Sequence, residues 1–201
     1  MNNKYFNYTK NNYIIQLGGV KMLICLCGKS GAGKGYVSSL FEMLDNSITS
    51  LDIDKIGHQV IREKEVIKTL VDVFGNSVPK DDVINRSKLS ELVFKSKPKM
   101  EKLKAITWRY IEKEIDYFIN DNVNEIIILD WALLPKTKYF KMSNLTILVV
   151  AKAETRFNRL INREQIDLRK FRLRENAALT YLNNEFDYVI SNDEDGIIKG
   201  W

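Results

Sequence analysis

Several residues that carry common chemistries are scarce here. The 201 residues include one histidine, His58, and two cysteines, Cys25 and Cys27. That scarcity argues against a disulfide framework or a cysteine-rich metal site. The two cysteines alternate along one apolar segment, so they face the same side and are expected to be buried thiols in a reducing cytosol. His58 is expected to be a helix residue near the substrate rather than the catalytic base. No apolar stretch approaches the roughly 18 residues a membrane span requires. Residues 1–21 are polar and rich in Asn, Lys and Tyr, without the apolar core of a signal peptide. They are expected to be a disordered extension ahead of an alternative start at Met22, with a strand through Tyr13–Leu17 as the alternative. Lysines are scattered, with no long basic run interleaved with aromatics, so neither nucleic acid nor membrane is an expected partner. There is no internal repeat and no low-complexity linker.

What remains has the composition of an ordinary globular domain, 45% hydrophobic and 28% charged with a net charge of +5. The length suits one domain with a small lid, and the charge suits an anionic ligand. Five apolar runs punctuate the chain: MLICLC (22–27), ITSLDI (48–53), EIIILD (125–130), LTILVV (145–150) and DYVISN (187–192). Near-continuous apolar runs are what strands buried on both faces require. Helical periodicity fills the intervals, over 36–44, 89–94, 100–119, 153–160 and onward to about 182. In the third, Leu103, Ile106, Tyr110, Ile111, Ile115 and Phe118 form one stripe. Pro79 and Pro98 mark expected breaks. The alternation predicts an α/β fold: a five-stranded parallel sheet between helical layers, of the P-loop NTPase type. One domain is expected over 22–201, with a substrate-binding insertion at about 60–120 and a lid at about 154–176.

The stretch LCGKSGAGKGYVSS (26–39) supplies the first chemistry. A strand, a glycine loop and a helix form the context of a phosphate loop. Gly28, Gly33 and Lys34 fill G-x-x-x-x-G-K, and Gly31 and Gly33 let the backbone wrap closely. Loop amides and the helix N-terminus then meet phosphate oxygens, and Lys34 reaches the β- and γ-phosphates. The next position usually carries a hydroxyl for magnesium, but here it is Gly35, followed by Tyr36. Ser38 and Ser39 lie a turn further and are not expected to substitute.

Two acids follow in SLDIDKIGHQV (50–60). Asp52 and Asp54 are expected at the carboxyl end of the second strand, where open α/β sheets bind ligands. Two apart on a strand they would share a face, one accepting a hydroxyl proton while the other orients it. Helix capping is the alternative for either. Asp130 ends EIIILD as a Walker B acid does, and Asp130 or Asp52 is the expected magnesium anchor, through water. Downstream, Arg156, Arg159 and Arg163 recur at helical spacing. Of the arginines over 154–176, Arg159, Arg163 and Arg172 are expected to act on phosphate, against the alternative of a solvated basic helix.

These pieces, in this order, resemble dephospho-CoA kinase over roughly 22–192. LDIDKIGHQV is similar to the family's D-x-D segment, whose first Asp is the base for the ribose 3′-hydroxyl. FGNSVPKDDVINRSKLSELVF (74–94) resembles the family's F-G…R-x-x-L-x-x-x-V-F stretch, with Arg86 on its arginine. RFNRLINR fits the lid helix, RLREN (172–176) an R-x-x-x-Q motif, and FDYVISND a D-x-V-I-x-N ending with Asn192 on its Asn. There are departures. Trp108–Arg109 stands for a His-Pro pair, ALLPK (132–136) for P-L-L-F-E, and Gly35 for the hydroxyl. The resemblance implies phosphorylation of the dephospho-CoA 3′-hydroxyl by ATP with Mg2+, in a cytoplasmic monomer. It implies Asp52, Lys34, Arg159 and Arg163 in catalysis. Gly28, Gly31, Ala32, Gly33, Lys34, Gly35, Tyr36, Arg159, Arg172 and Asn192 would surround ATP. Asp54, Arg86, Trp108 and Asp130 would lie on the substrate side. Two alternatives stand beside it: a nucleoside or nucleotide kinase, suggested by G-K-G, and a non-catalytic ATP-binding protein, suggested by the departures.

Overall fold

A computed structural model of the chain describes residues 22–75, 79–80, 83–122 and 126–193. The expected extension over 1–21, and the alternative strand within it, lie outside these residues. Strand β1 (Met22–Cys27) leads through the glycine loop into α1 (Lys34–Leu44), then β2 (Ile48–Asp52), α2 (Ile53–Val60) and α3 (Lys64–Phe74). A hairpin of β3 (Pro79–Lys80) and β4 (Val83–Ile84) precedes α4 (Arg86–Phe94) and the long α5 (Lys97–Asp121). The chain continues through β5 (Ile126–Asp130), α6 (Lys138–Met142), β6 (Leu145–Val150), α7 (Ala153–Glu164), α8 (Leu168–Ala177) and β7 (Tyr188–Ser191).

The five apolar runs become one parallel sheet in the order β2-β5-β1-β6-β7. Its two faces follow the period-2 alternation of β1. Leu23, Cys25 and Cys27 join the larger core with Ile111, Ile115 and Ile119 of α5, whereas Ile24 and Leu26 pack with Val37 of α1. Fully burying a side chain such as Ile115 contributes about 1.5–3 kcal/mol. Both cysteines are free and buried, and burial pushes the Cys25 thiol up to about 12. They pack as small apolar groups.

The structure differs in detail from the expected elements in three places. Pro98 marks the break between α4 and α5, as expected, but from inside the first turn of α5, where a missing N–H is harmless. The helix therefore begins before Met100. The hairpin of β3 and β4 was not foreseen, since two-residue strands leave no periodicity to detect. The Arg-rich stretch is two helices, broken where Gln165 adopts a left-handed conformation (φ 52°) and Asp167 caps α8 by accepting from the Lys170 amide. Leu160, Ile166 and Phe171, with Phe157 against them, give this helix pair a small apolar cluster of its own.

Candidate active site

The glycine loop is held closely against the backbone of α7 and the side chain of Asn192, just past β7. Gly31 and Gly33 have φ of +82° and +93°. A Cβ on Gly31 would lie 2.7 Å from the Arg156 carbonyl oxygen, and one on Gly33 would lie 2.1 Å from Asn192 Nδ2. Only glycine supplies both that backbone conformation and that clearance. Arg159 Nη1 donates to the carbonyls of Gly31 and Ala32 (3.3 and 3.4 Å), and Asn192 Nδ2 donates to Ala32 (2.9 Å). Helix α1 starts with no side-chain cap, so its first amides are left for an anion.

Lys34 and Asp130 face each other behind the loop, with Nζ 3.6 Å from Oδ1 and both largely buried. Burial, reinforced by the charges of Asp52 and Asp54 and opposed by Lys34, pushes the Asp130 carboxyl up to about 6. One ammonium does not fully compensate this acid. Gly35 lies beside it, and a Cβ there would meet only Asp130 Oδ2, at 3.9 Å. Ser39 donates its hydroxyl to the Gly35 carbonyl (2.9 Å), and Ser38 is buried.

Strands β2 and β5 end side by side, with Asp52 in register with Asp130. Here the sequence reading is corrected. Asp52 and Asp54 do not share a strand face, because β2 stops at Asp52 and Asp54 lies in the first turn of α2. Asp52 is itself the cap: Oδ1 accepts from the Lys55 amide (3.1 Å), and Oδ2 faces Lys55 Nζ (3.3 Å). The preference of Asp for an N-cap ends the strand one residue early. His58, one turn beyond Asp54, accepts at Nε2 from Arg86 Nη2 (2.5 Å).

The arginines divide. Arg156 is buried and donates to both carboxylate oxygens of Glu175 on α8 (2.6 and 2.8 Å), and also to the Ala151 and Ser30 carbonyls. Lys29, inside the loop, donates to the same Glu175 (3.2 Å). The Arg156 hydrogen bonds hold the Glu175 carboxyl below its usual range. Arg159 meets the loop. Arg163 turns to Glu164, which also accepts from Arg174 (2.6 Å). Arg172 is exposed on α8. Thus Arg159 joins Lys34 and Asn192 at the loop, whereas Arg163 and Arg172 make no hydrogen bond to it. Tyr36 is exposed. Trp108 packs edge-on against Trp131 with ring centroids 5.9 Å apart. The sequence reading missed Lys29, Glu175 and Trp131. Lys29 occupied a variable loop position, and a pair 19 residues apart, Arg156 with Glu175, leaves no local signal.

A family model for dephospho-CoA kinase matches residues 22–196. The dephospho-CoA kinase of Fusobacterium nucleatum is 30% identical over 178 residues, covering 86% of this chain and 90% of its own. That of Aquifex aeolicus is 33% identical over 179 residues, covering 84% and 87%. Among solved structures, one from Thermus thermophilus is similar in fold with a TM-score of 0.72 at 22% identity, covering 86% of this chain and 89% of that one. The dephospho-CoA kinase of Campylobacter jejuni gives 0.51 at 20% identity, covering 86% and 88%. The family match extends through the insertion and both Arg-rich helices, well beyond the phosphate loop that nucleoside kinases share. The chain belongs to the dephospho-CoA kinase family, the ATP-using phosphotransferases of the last step of coenzyme A biosynthesis.

Proposed function

We propose that the chain transfers the γ-phosphoryl group of ATP to the ribose 3′-hydroxyl of dephospho-CoA, with Asp52 as the general base. The observation that carries this is the paired ending of β2 and β5 on Asp52 and Asp130, with Lys34 3.6 Å from Asp130. The loop amides and Lys34 hold the phosphate chain. Asp52 accepts the hydroxyl proton as the 3′-oxygen attacks phosphorus, and the bond to the bridging oxygen of ADP breaks. Its cap bond to Lys55 engages Oδ1, and Oδ2 faces only the exposed Lys55 ammonium, leaving lone pairs for the hydroxyl. Arg159 stands where charge develops on the transferring group, and Asn192 fixes the loop. Arg163 and Arg172 reach the phosphates only if α7 and α8 act as a lid that moves. Arg86 and Trp108, within the insertion, and Asp54, ahead of it in α2, lie on the acceptor side. The working unit is a cytoplasmic monomer.

The residues fit magnesium as an ion brought with the nucleotide. Among the described residues no cluster of three or more His, Cys, Asp or Glu is placed to hold a metal alone. The undercompensated Asp130, with Asp52 across the strand boundary, favours a further cation. Asp130 or Asp52 would anchor it through water, since Gly35 offers no hydroxyl. The bound ion would supply charge neutralisation on the β- and γ-phosphates.

Asp52→Asn tests the assignment, because asparagine keeps the helix cap while removing the base. Turnover with dephospho-CoA should fall by roughly 10²–10⁴, with ATP affinity and melting temperature near wild type. Should Asp54→Asn be the crippled variant instead, the base is Asp54. Wild-type ADP release without dephospho-CoA consumption would point to a different acceptor, and ATP binding with no turnover to a non-catalytic role.

A further inference from the structure

Arg86 has an unusual partner. Exposed arginines commonly pair with carboxylates, yet Arg86 forms no ion pair with a described residue. Its guanidinium rests on the single imidazole of the chain, with Nη2 2.5 Å from His58 Nε2. A guanidinium can only donate. Nε2 must therefore carry the lone pair, which makes His58 neutral with its proton on Nδ1. A neutral acceptor fixes the direction of the guanidinium without cancelling its charge. A carboxylate in the same place would cancel it.

The position of the pair gives that arrangement a use. Asp54 and His58 are one turn apart on α2 and so share its face. Arg86 opens α4, across from them, and lines a cavity of about 270 Å³. The other wall comes from α8 and the residues before it, including Glu164, Arg169, Lys170 and Arg174. The charged groups that act on His58 are Arg86 and Arg62 on one side and Asp54 and Asp52 on the other. Asp52, Asp54, His58 and Arg86 thus form a row from the proposed base to the cavity. An acceptor with its hydroxyl at Asp52 and a diphosphate further along meets Arg86 next.

We infer that His58 is a positioning residue for acceptor binding: it holds the Arg86 guanidinium, uncancelled, in the direction of the acceptor's phosphate groups. The inference rests on the reading of Arg86 as an acceptor-side residue.

KM for dephospho-CoA, KM for ATP, kcat and melting temperature separate the possibilities in His58→Ala, His58→Gln, Arg86→Ala and the His58→Ala/Arg86→Ala double variant. His58→Ala should raise the dephospho-CoA KM by about 3- to 10-fold, the scale of one hydrogen bond, with kcat and ATP KM close to wild type. His58→Gln should recover most of the loss, because its amide oxygen can accept from Arg86. Arg86→Ala should raise the same KM at least as far, and adding His58→Ala to it should change nothing more. An unchanged KM in His58→Ala, equal loss in the Ala and Gln variants, or additive losses in the double variant would overturn the role of His58. Those results would leave Arg86 as an acceptor residue if Arg86→Ala alone is impaired. An unchanged KM in Arg86→Ala would overturn the reading of Arg86 itself, and the inference with it.

Discussion

The glycine loop and the proposed acceptor side of this site are built on different physical terms. At the loop the main chain itself is closely approached: Gly31 lies against the Arg156 backbone and Gly33 under the Asn192 side-chain amide. At the proposed acceptor side, Arg86 on α4 lines a cavity and is joined by one hydrogen bond to His58 on α2. The first arrangement leaves no room for a Cβ at Gly31 or Gly33. The second tolerates main-chain variety and depends on what each side chain is. That contrast lets Gly35 stand where the phosphate-loop pattern places a hydroxyl while the backbone wrap persists.

The largest expected effect tests whether the nucleotide side needs any side chain at all. Lys34→Ala should lower turnover by at least about 10²–10³, the scale of losing one preorganised charge-stabilising donor. The fold should survive, because Asp130 can take a proton once its partner is gone. Turnover and melting curves measured together check this, and wild-type turnover in a folded variant would remove Lys34 from the site.

A middle-sized effect is expected where the loop is tied to α8. Glu175→Gln weakens the hydrogen bonds from Arg156 and Lys29. Hydrogen bonds to charged groups are worth about 1.5–3 kcal/mol. A quarter of the Glu175 side chain is exposed, so solvent screening puts the net loss nearer about 1 kcal/mol. At this chain length that is a melting shift of about 2–4 °C. The Glu175 carboxyl lies below its ordinary range in the fold. Its stabilisation is therefore present above the ordinary glutamate value and lost as pH falls through the lowered one. The gap between wild type and variant should close on acidification, and a gap constant down to pH 3 would contradict the ion-pair account.

The smallest effect concerns the missing hydroxyl. Gly35→Ser has room, with only Asp130 Oδ2 near the new Cβ. It should lower the magnesium concentration for half-maximal activity while metal-free ATP binding stays the same. An unchanged magnesium titration would mean that the hydroxyl is not what distinguishes this loop.

Much of the sheet was legible because strands buried on both faces leave continuous apolar runs, as IIILD and LTILVV do. The loop was legible because close backbone contact permits few residue types. Asp52 as a cap was harder to see, since a strand end and a helix start compete for the same residue and only the Lys55 amide decides it. The roles of the arginines were least legible. Spacing put Arg156, Arg159 and Arg163 on one helix, but whether each is buried, bound to the loop or paired in solvent depends on Glu175 and Glu164, which spacing alone does not connect to them.

The parallel register sets a ruler across the site. Leu26 is in register with Asp130 and with Ile147, Asp130 is in register with Asp52, and the Trp131 amide extends the ladder by donating to Leu26. The separation between the proposed base and the phosphate loop is thus measured in strand spacings, about 4.7–4.9 Å each, with β5 as the one strand between them. Side chains along this line can drift over generations without altering the gap. Inserting or deleting one residue in β2 would slide Asp52 by about 3.3 Å and turn it to the opposite face. Changes in length within β2 should accordingly be far rarer among working versions of this chain than changes in composition around it.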